Sequence, residues 1–160
     1  MPSQVPQTED RASDQQSSRL EDLVGYHLRR ASIFDLQGAA AALAPANTRP
    51  VPMSVLLSIV ETPGISSAEI CRTLGMQRAN IVPILAELEE RGLFLREADK
   101  TDQRIQRLFA TRRGEGEAME WLALVSDHER IMLRRLSATE QAELRRLLAK
   151  IWQEDGPKQG

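Results

Sequence analysis

Residues 66–96 read SSAEICRTLGMQRANIVPILAELEERGLFLR, and this stretch decides the fold. Ser66 and Glu69 have the Ser-x-x-Glu spacing of a capping box, in which each side chain bonds the other's backbone amide. Gly75 ends the short helix that they open. A second helix is predicted over about 78–91, with Ile81, Leu85 and Leu88 on its buried face and Gly92 as its stop. Two short helices joined by Leu74-Gly75-Met76-Gln77 make a helix-turn-helix.

Downstream, LFLRE reads as a strand and QRIQRLFA as its antiparallel return. The hairpin between helical regions is charged: it holds Asp99, Lys100, Asp102, Arg104 and Arg107. Thr111 then caps a long helix running towards Leu136, with Met119, Leu122, Val125 and Met132 among its apolar positions. Ser137 and Glu140 repeat the capping-box spacing and open a last helix whose stripe includes Leu144, Leu147, Leu148 and Ile151.

Upstream, Leu20, Leu23, Val24, His27, Ala31 and Phe34 recur at three- and four-residue steps, which predicts a helix over about 19–43. Pro45, Pro50 and Pro52 mark a connection. A helix is expected over about 53–61, with Pro52 near its first position, and Thr62-Pro63-Gly64 stops it. Residues 1–18 are polar, with Pro, Gln and Ser, and read as a disordered tail; the end from about 154 reads as a flexible tail. The expected class is mainly α with a small β-hairpin wing. A winged helix-turn-helix would span about 52–110, framed by helices at about 19–44 and 112–153.

Among the 160 residues, 41% are hydrophobic and only 4% aromatic, so the core must be built mainly of Leu, Ile, Val, Met and Ala. No apolar run reaches the roughly 20 residues needed to cross a membrane. No secretory signal is visible, and the single cysteine, Cys71, cannot form an internal disulfide, so a cytoplasmic location is the default. The net charge is −2, yet residues 72–113 hold nine Arg or Lys against six Asp or Glu. A basic centre in an acidic frame suits a DNA contact surface.

The order of elements resembles the MarR family of bacterial transcription regulators. The resemblance is carried by AEICRTLGMQRANIVPILAELEERGLFLR (68–96) and DKTDQRIQRLFATRRG (99–114). The first is similar to the family's helix-turn-helix, with its Leu-Gly turn and Leu-Glu-x-x-Gly-Leu ending. The second is similar to its wing, with an Asp-x-Arg core at Asp102 and Arg104. Many family members have Arg where this chain has Pro83, and often a basic residue where it has Gln103. A proline within a helix costs about 3 kcal/mol, less near the first turn, so a bend is expected early in the second helix.

In a winged helix the second helix enters the major groove, where Gln77, Arg78 and Asn80 would meet base edges. The wing would place Arg104 in a neighbouring minor groove, with Asp102 orienting it and Lys100 and Arg107 at phosphates. The apolar stripes of the terminal helices exceed what one small winged domain can cover, and pairing with a second copy would bury them. The resemblance implies a homodimer on double-stranded operator DNA, released by a small-molecule effector such as an aromatic carboxylate or its thioester. His27 and Arg30, one turn apart, would receive that carboxylate, with Tyr26, Met53 and Trp121 as further lining. Cys71 reads as a small buried side chain, and His128 lacks a second ligand at zinc spacing. No metal, cofactor or catalytic constellation stands out, so the expectation is a regulator and not an enzyme. The alternative is a winged-helix protein-interaction module without a specific operator.

Overall fold

The computed structural model describes residues 19–153. The expected tails at 1–18 and from 154 lie outside the described residues. The chain divides into two compact units, the first ending at Ile33 and the second beginning at Phe34. In the first, a turn leads into helix α1 (Val24–Leu43), with the amides of Leu23 and Tyr26 bonded to the carbonyls of Leu20 and Leu23. The helix therefore starts later than the periodicity suggested.

The second unit holds the remainder of α1 and all other elements. A 3-10 turn (Ala44–Ala46) leads to α2 (Pro50–Glu61). The expected start at Met53 is too late. Pro50 and Pro52 both sit inside the first turn, where amides have no intrahelical acceptor, so their missing N–H groups cost nothing there. Strand β1 (Ile65–Ser66) precedes α3 (Ser67–Leu74) and α4 (Arg78–Glu90). Strands β2 (Phe94–Ala98) and β3 (Gln106–Ala110) form the hairpin, followed by α5 (Arg112–Met132) and α6 (Ala138–Trp152).

The sheet has three antiparallel strands in the order β1-β3-β2, with Leu108 opposite Ile65 on one side and Arg96 on the other. The strand β1 has no periodicity to reveal it. It exists because Ile65 and Ser66 pair with Leu108 and Arg107, more than forty residues away. Helix α4 continues through Pro83, its sixth residue, without interruption.

Helix α2 is the centre of the core: Val55, Leu56 and Ile59 are fully buried. Around it pack Ile70 of α3, Leu85 and Leu88 of α4, Leu108 of β3 and Trp121 of α5. Met53 and Trp121 are core residues, and neither lines the apolar cleft described below. Cys71 is buried beside Ile70. Both capping boxes form, at Ser66/Glu69 and Ser137/Glu140.

The junction of hairpin and α5 is held by Thr111. Its amide bonds the Leu93 carbonyl at 3.0 Å, its hydroxyl donates to Gly92 at 2.8 Å and accepts from the Gly114 amide at 3.0 Å. Gly114 is buried directly against Leu93, and a Cβ there would overlap the Leu93 carbonyl oxygen. Helix α5 ends at Met132, short of Leu136, in a turn closed by the Leu136 amide on the Leu133 carbonyl.

Replacing Gly114 with Ala should therefore force backbone against backbone. We expect a loss of about 1–3 kcal/mol of stability, the usual range for overpacking, read from urea unfolding. Gly116→Ala, two residues on and in open space, should be neutral or slightly stabilising through helix propensity.

Candidate nucleic-acid interface

Helix α3, the turn at Gly75 and helix α4 are followed directly by the β2–β3 hairpin. Gly75 takes the left-handed conformation, φ +63°, that lets the chain reverse between the helices. Gln77 is the N-cap of α4 and has no side-chain capping bond. Arg78 follows at the first helical position and Asn80 at the third; all three are exposed. Their side chains stand at a helix N-terminus, where the dipole favours an approaching anion.

The hairpin tip is organised by Asp99, a residue not singled out from sequence. One carboxylate oxygen accepts from the Thr101 amide (2.8 Å), the Thr101 hydroxyl (2.6 Å) and the Asp102 amide (3.1 Å). The other accepts from Arg107 Nε at 2.7 Å. The Thr101 hydroxyl, Arg107 and the two amides hold the Asp99 carboxyl far below the usual carboxylate range. The signal in the sequence was the Asp-x-Thr-Asp pattern of a side chain bonding its own turn.

Arg107 does not stand free for phosphate. Besides Asp99 it reaches Glu69 Oε2 at 3.2 Å and the Gly64 carbonyl at 3.3 Å. It thus ties the wing to the first helix of the helix-turn-helix. Glu69 meanwhile accepts from the Ser66 hydroxyl (2.6 Å) and amide (2.8 Å). These bonds, then Arg107, lower the Glu69 carboxyl from its ordinary value.

Lys100 is exposed at the tip. The Arg104 side chain is 94% exposed; its Nε lies 3.6 Å from Asp102 Oδ1, and its amide bonds the same oxygen at 3.1 Å. A pair this exposed is worth little to stability, so Arg104 has no evident structural task. Elsewhere in the basic segment, Arg91 binds Glu117, Arg96 binds Glu89 and Arg113 binds Glu117. Among the described residues 72–113, Arg72, Arg78, Lys100 and Arg112 make no ion pair. Within this segment, the start of α4 carries the unpaired Arg78, and the wing tip carries the unpaired Lys100 and the exposed Arg104.

A second feature of this unit is an apolar cleft of about 450 Å³ lined by Leu36, Val51, Met76 and Ile84, with Arg49 and Asn80 as its polar members. Arg49 is paired with Glu87 at 2.8 Å on the surface. His27 and Arg30 belong to the first unit and are both exposed. The His27 Nε2 donates to the Glu21 carbonyl at 2.7 Å, which fixes its tautomer. His128 lies against Gly38, 3.5 Å from Asp35. Among the described residues, no group of three His, Cys, Asp or Glu side chains could hold a metal, and no helix is long and apolar enough to cross a membrane.

A helix-turn-helix continued by a β hairpin, with exposed cations on helix and tip, defines the winged-helix class of DNA-binding domains. Residues 48–105 match the model of the MarR family. The HTH-type transcriptional repressor Rv2887 of Mycobacterium tuberculosis is 30% identical over 128 residues, covering 80% of this chain and 92% of that protein. Among solved structures, the transcriptional repressor CouR bound to a 23-mer DNA duplex is 33% identical with a TM-score of 0.78, over 84% of this chain and 95% of that one. CouR from Rhodococcus jostii RHA1 bound to p-coumaroyl-CoA is 28% identical with a TM-score of 0.81, over 89% and 100%. The chain belongs to the MarR family of winged-helix transcription regulators.

Acid should loosen the wing first. Asp99 and Glu69 both titrate lower in the fold than in the unfolded chain, whose carboxyls titrate near about 4. Their contribution is thus fully present above that value and is lost as pH falls below it. Thermal melting between about pH 6 and 2.5 should show a falling Tm at the acid end. Asp99→Asn should flatten that fall and lower the Tm at neutral pH, where the wild-type carboxylate is charged.

Proposed function

We propose that the protein is a homodimeric cytoplasmic repressor that covers an operator and is released by a small aromatic acid or its thioester. The observation that carries the DNA reading is the unspent charge at two places, the start of α4 and Arg104 at the wing tip. Gln77, Arg78 and Asn80 read base edges in the major groove; Arg can pair with guanine, and Asn or Gln with adenine. Arg104 enters the minor groove, with Asp102 holding its backbone and head, and Lys100 meets phosphate. Arg107 acts indirectly, by fixing the wing that carries the others. The DNA-bound form of CouR supports this reading.

The dimer is supported by faces that the single chain leaves bare. No residue of α6 is buried, and Leu147, Ile151 and Trp152 are exposed, as are Phe34 on α1 and Ile131 on α5. A twofold pair would cover such faces and match a palindromic site. The effector is supported by the apolar cleft, whose volume lies within the range of small-molecule sites, and by the CoA thioester bound to CouR. Asn80 belongs both to that cleft and to the reading end of α4. An occupant would move the helix that meets the DNA, which couples the two equilibria. Arg49, on the cleft, is better placed to receive the carboxylate by competing with Glu87; His27 and Arg30 form the second candidate pair.

The operator reading is tested by selecting duplexes from a random-sequence pool and measuring affinity across salt concentrations. Arg104→Ala should lower the log–log salt slope by about one for a phosphate contact, or cost about 1–3 kcal/mol for a base contact, with an unchanged melting temperature. Failure to enrich any duplex would favour a protein-interaction module. Titrating p-coumaroyl-CoA and its free acid into the complex tests the effector reading. Arg49→Ala should weaken release more than Arg30→Ala while leaving DNA affinity nearly unchanged; no release by either compound would remove this ligand class.

A further inference from the structure

Helix α4 exposes an apolar stripe that its DNA-reading residues do not explain. Ala79, Val82, Pro83 and Ala86 are all exposed, and Val82 is 66% open to solvent. Their spacing of three, four and seven residues places them within an arc of about 100° on the helix. The buried residues Ile81, Leu85 and Leu88 occupy the other side. Arg78 and Asn80 fall on opposite flanks of the stripe, so it is the middle of the same surface. Val82 also shares a groove of about 250 Å³ with Ser67, Arg78 and Arg96.

We infer that this stripe reads thymine: Val82, flanked by Ala79, Pro83 and Ala86, packs on the C5-methyl groups of a T-containing step in the major groove. The inference rests on the operator reading above and deepens it by naming the base. Of the four bases, thymine alone presents a methyl group in that groove. Small aliphatic side chains on a helix surface are its natural complement, since both partners lose exposed apolar area on contact. The stripe is too narrow and too small-chained for a protein hot spot, which relies on large aromatic or Arg anchors. Its surroundings suit a polyanion: the unpaired Arg78 stands beside it and no acid lies on the stripe before Glu90, while Arg96 across the groove is held by Glu89. Glu90 lies on the same arc and sets the limit, so groove contact belongs to the first two turns. From Ala79 to Ala86 the stripe runs about 10 Å along the axis, enough to face about three base-pair steps at 3.4 Å each.

The experiment uses the full-length protein and the duplex that it enriches from a random pool, resynthesised with single thymines replaced by deoxyuridine. That change removes only the methyl group. One or two positions in each half-site should lose about fourfold in affinity per methyl. Val82→Ala should lose affinity for the thymine duplex and show less than a twofold difference between thymine and deoxyuridine at one of those positions. Wild-type affinity unchanged by every replacement overturns the inference while leaving operator binding intact. The same deoxyuridine penalty in wild type and Val82→Ala also overturns it, because the methyl is then read elsewhere. No enriched duplex overturns both readings together. The wild-type arm needs no variant, so it decides the matter even if Val82→Ala is poorly behaved.

Discussion

Arg107 donates to three acceptors drawn from three parts of the chain: Asp99 at the wing tip, Glu69 in the first helix of the helix-turn-helix and the Gly64 carbonyl before β1. A winged helix has to hold a two-stranded hairpin, unstable by itself, at a fixed angle to a helix pair. The guanidinium does this because its donors lie in a rigid planar fork. The two carboxylates among them also have local tasks. Glu69 closes the capping box with Ser66, and Asp99 folds the turn at Thr101 and Asp102. Local caps and long-range tie therefore share atoms, and disturbing one loosens the others. The β1–β3 pairing brings Ser66 opposite Arg107 and completes the arrangement.

The rest of the second unit follows from where apolar surface is buried. Helix α2 is nearly continuous in apolar residues, which suits a helix surrounded on several sides. Helix α6 is the opposite case. It is well capped and amphipathic, yet it buries no residue in the single chain. The capping box accounts for where it starts, and packing within the chain does not account for why it stays helical. Its exposed Leu147, Ile151 and Trp152 are the apolar surface that the proposed dimer would cover.

Local chemistry made much of the fold legible. Ser66 with Glu69, Ser137 with Glu140, and Thr111 each signal a helix start through bonds within three residues, and all three caps form. The family and its wing were readable for the same reason. What failed to show depends on partners distant in sequence. Ile65-Ser66 is a strand only because β3 lies beside it. Arg107 looked like a phosphate contact because its acids, eight and thirty-eight residues away, are brought together only by folding. Pro52 marked a helix start, but Pro50 satisfies the same rule two residues earlier. Of the candidate contacts, Gln77, Arg78, Asn80, Lys100 and Arg104 are exposed, as a surface role requires; the tasks of Asp99 and the exposure of Val82 were not legible in the sequence.

Arg91 shows a further consequence of how the cations are distributed. Its guanidinium donates to Glu117 at 2.7 Å and to the Asn47 carbonyl at 3.1 Å, and lies 4.9 Å above the ring of Trp121. A lysine would keep the charge and lose the fork and the stacking. Arg91 and Arg107 are thus fixed by architecture, whereas Arg78 and Lys100 make no ion pair and Arg104 makes only an exposed one with Asp102. Mutational drift can change the second group without disturbing the scaffold. Under the proposed DNA reading, substitutions at those exposed positions would alter contacts one side chain at a time, on a frame held by arginines that are already engaged.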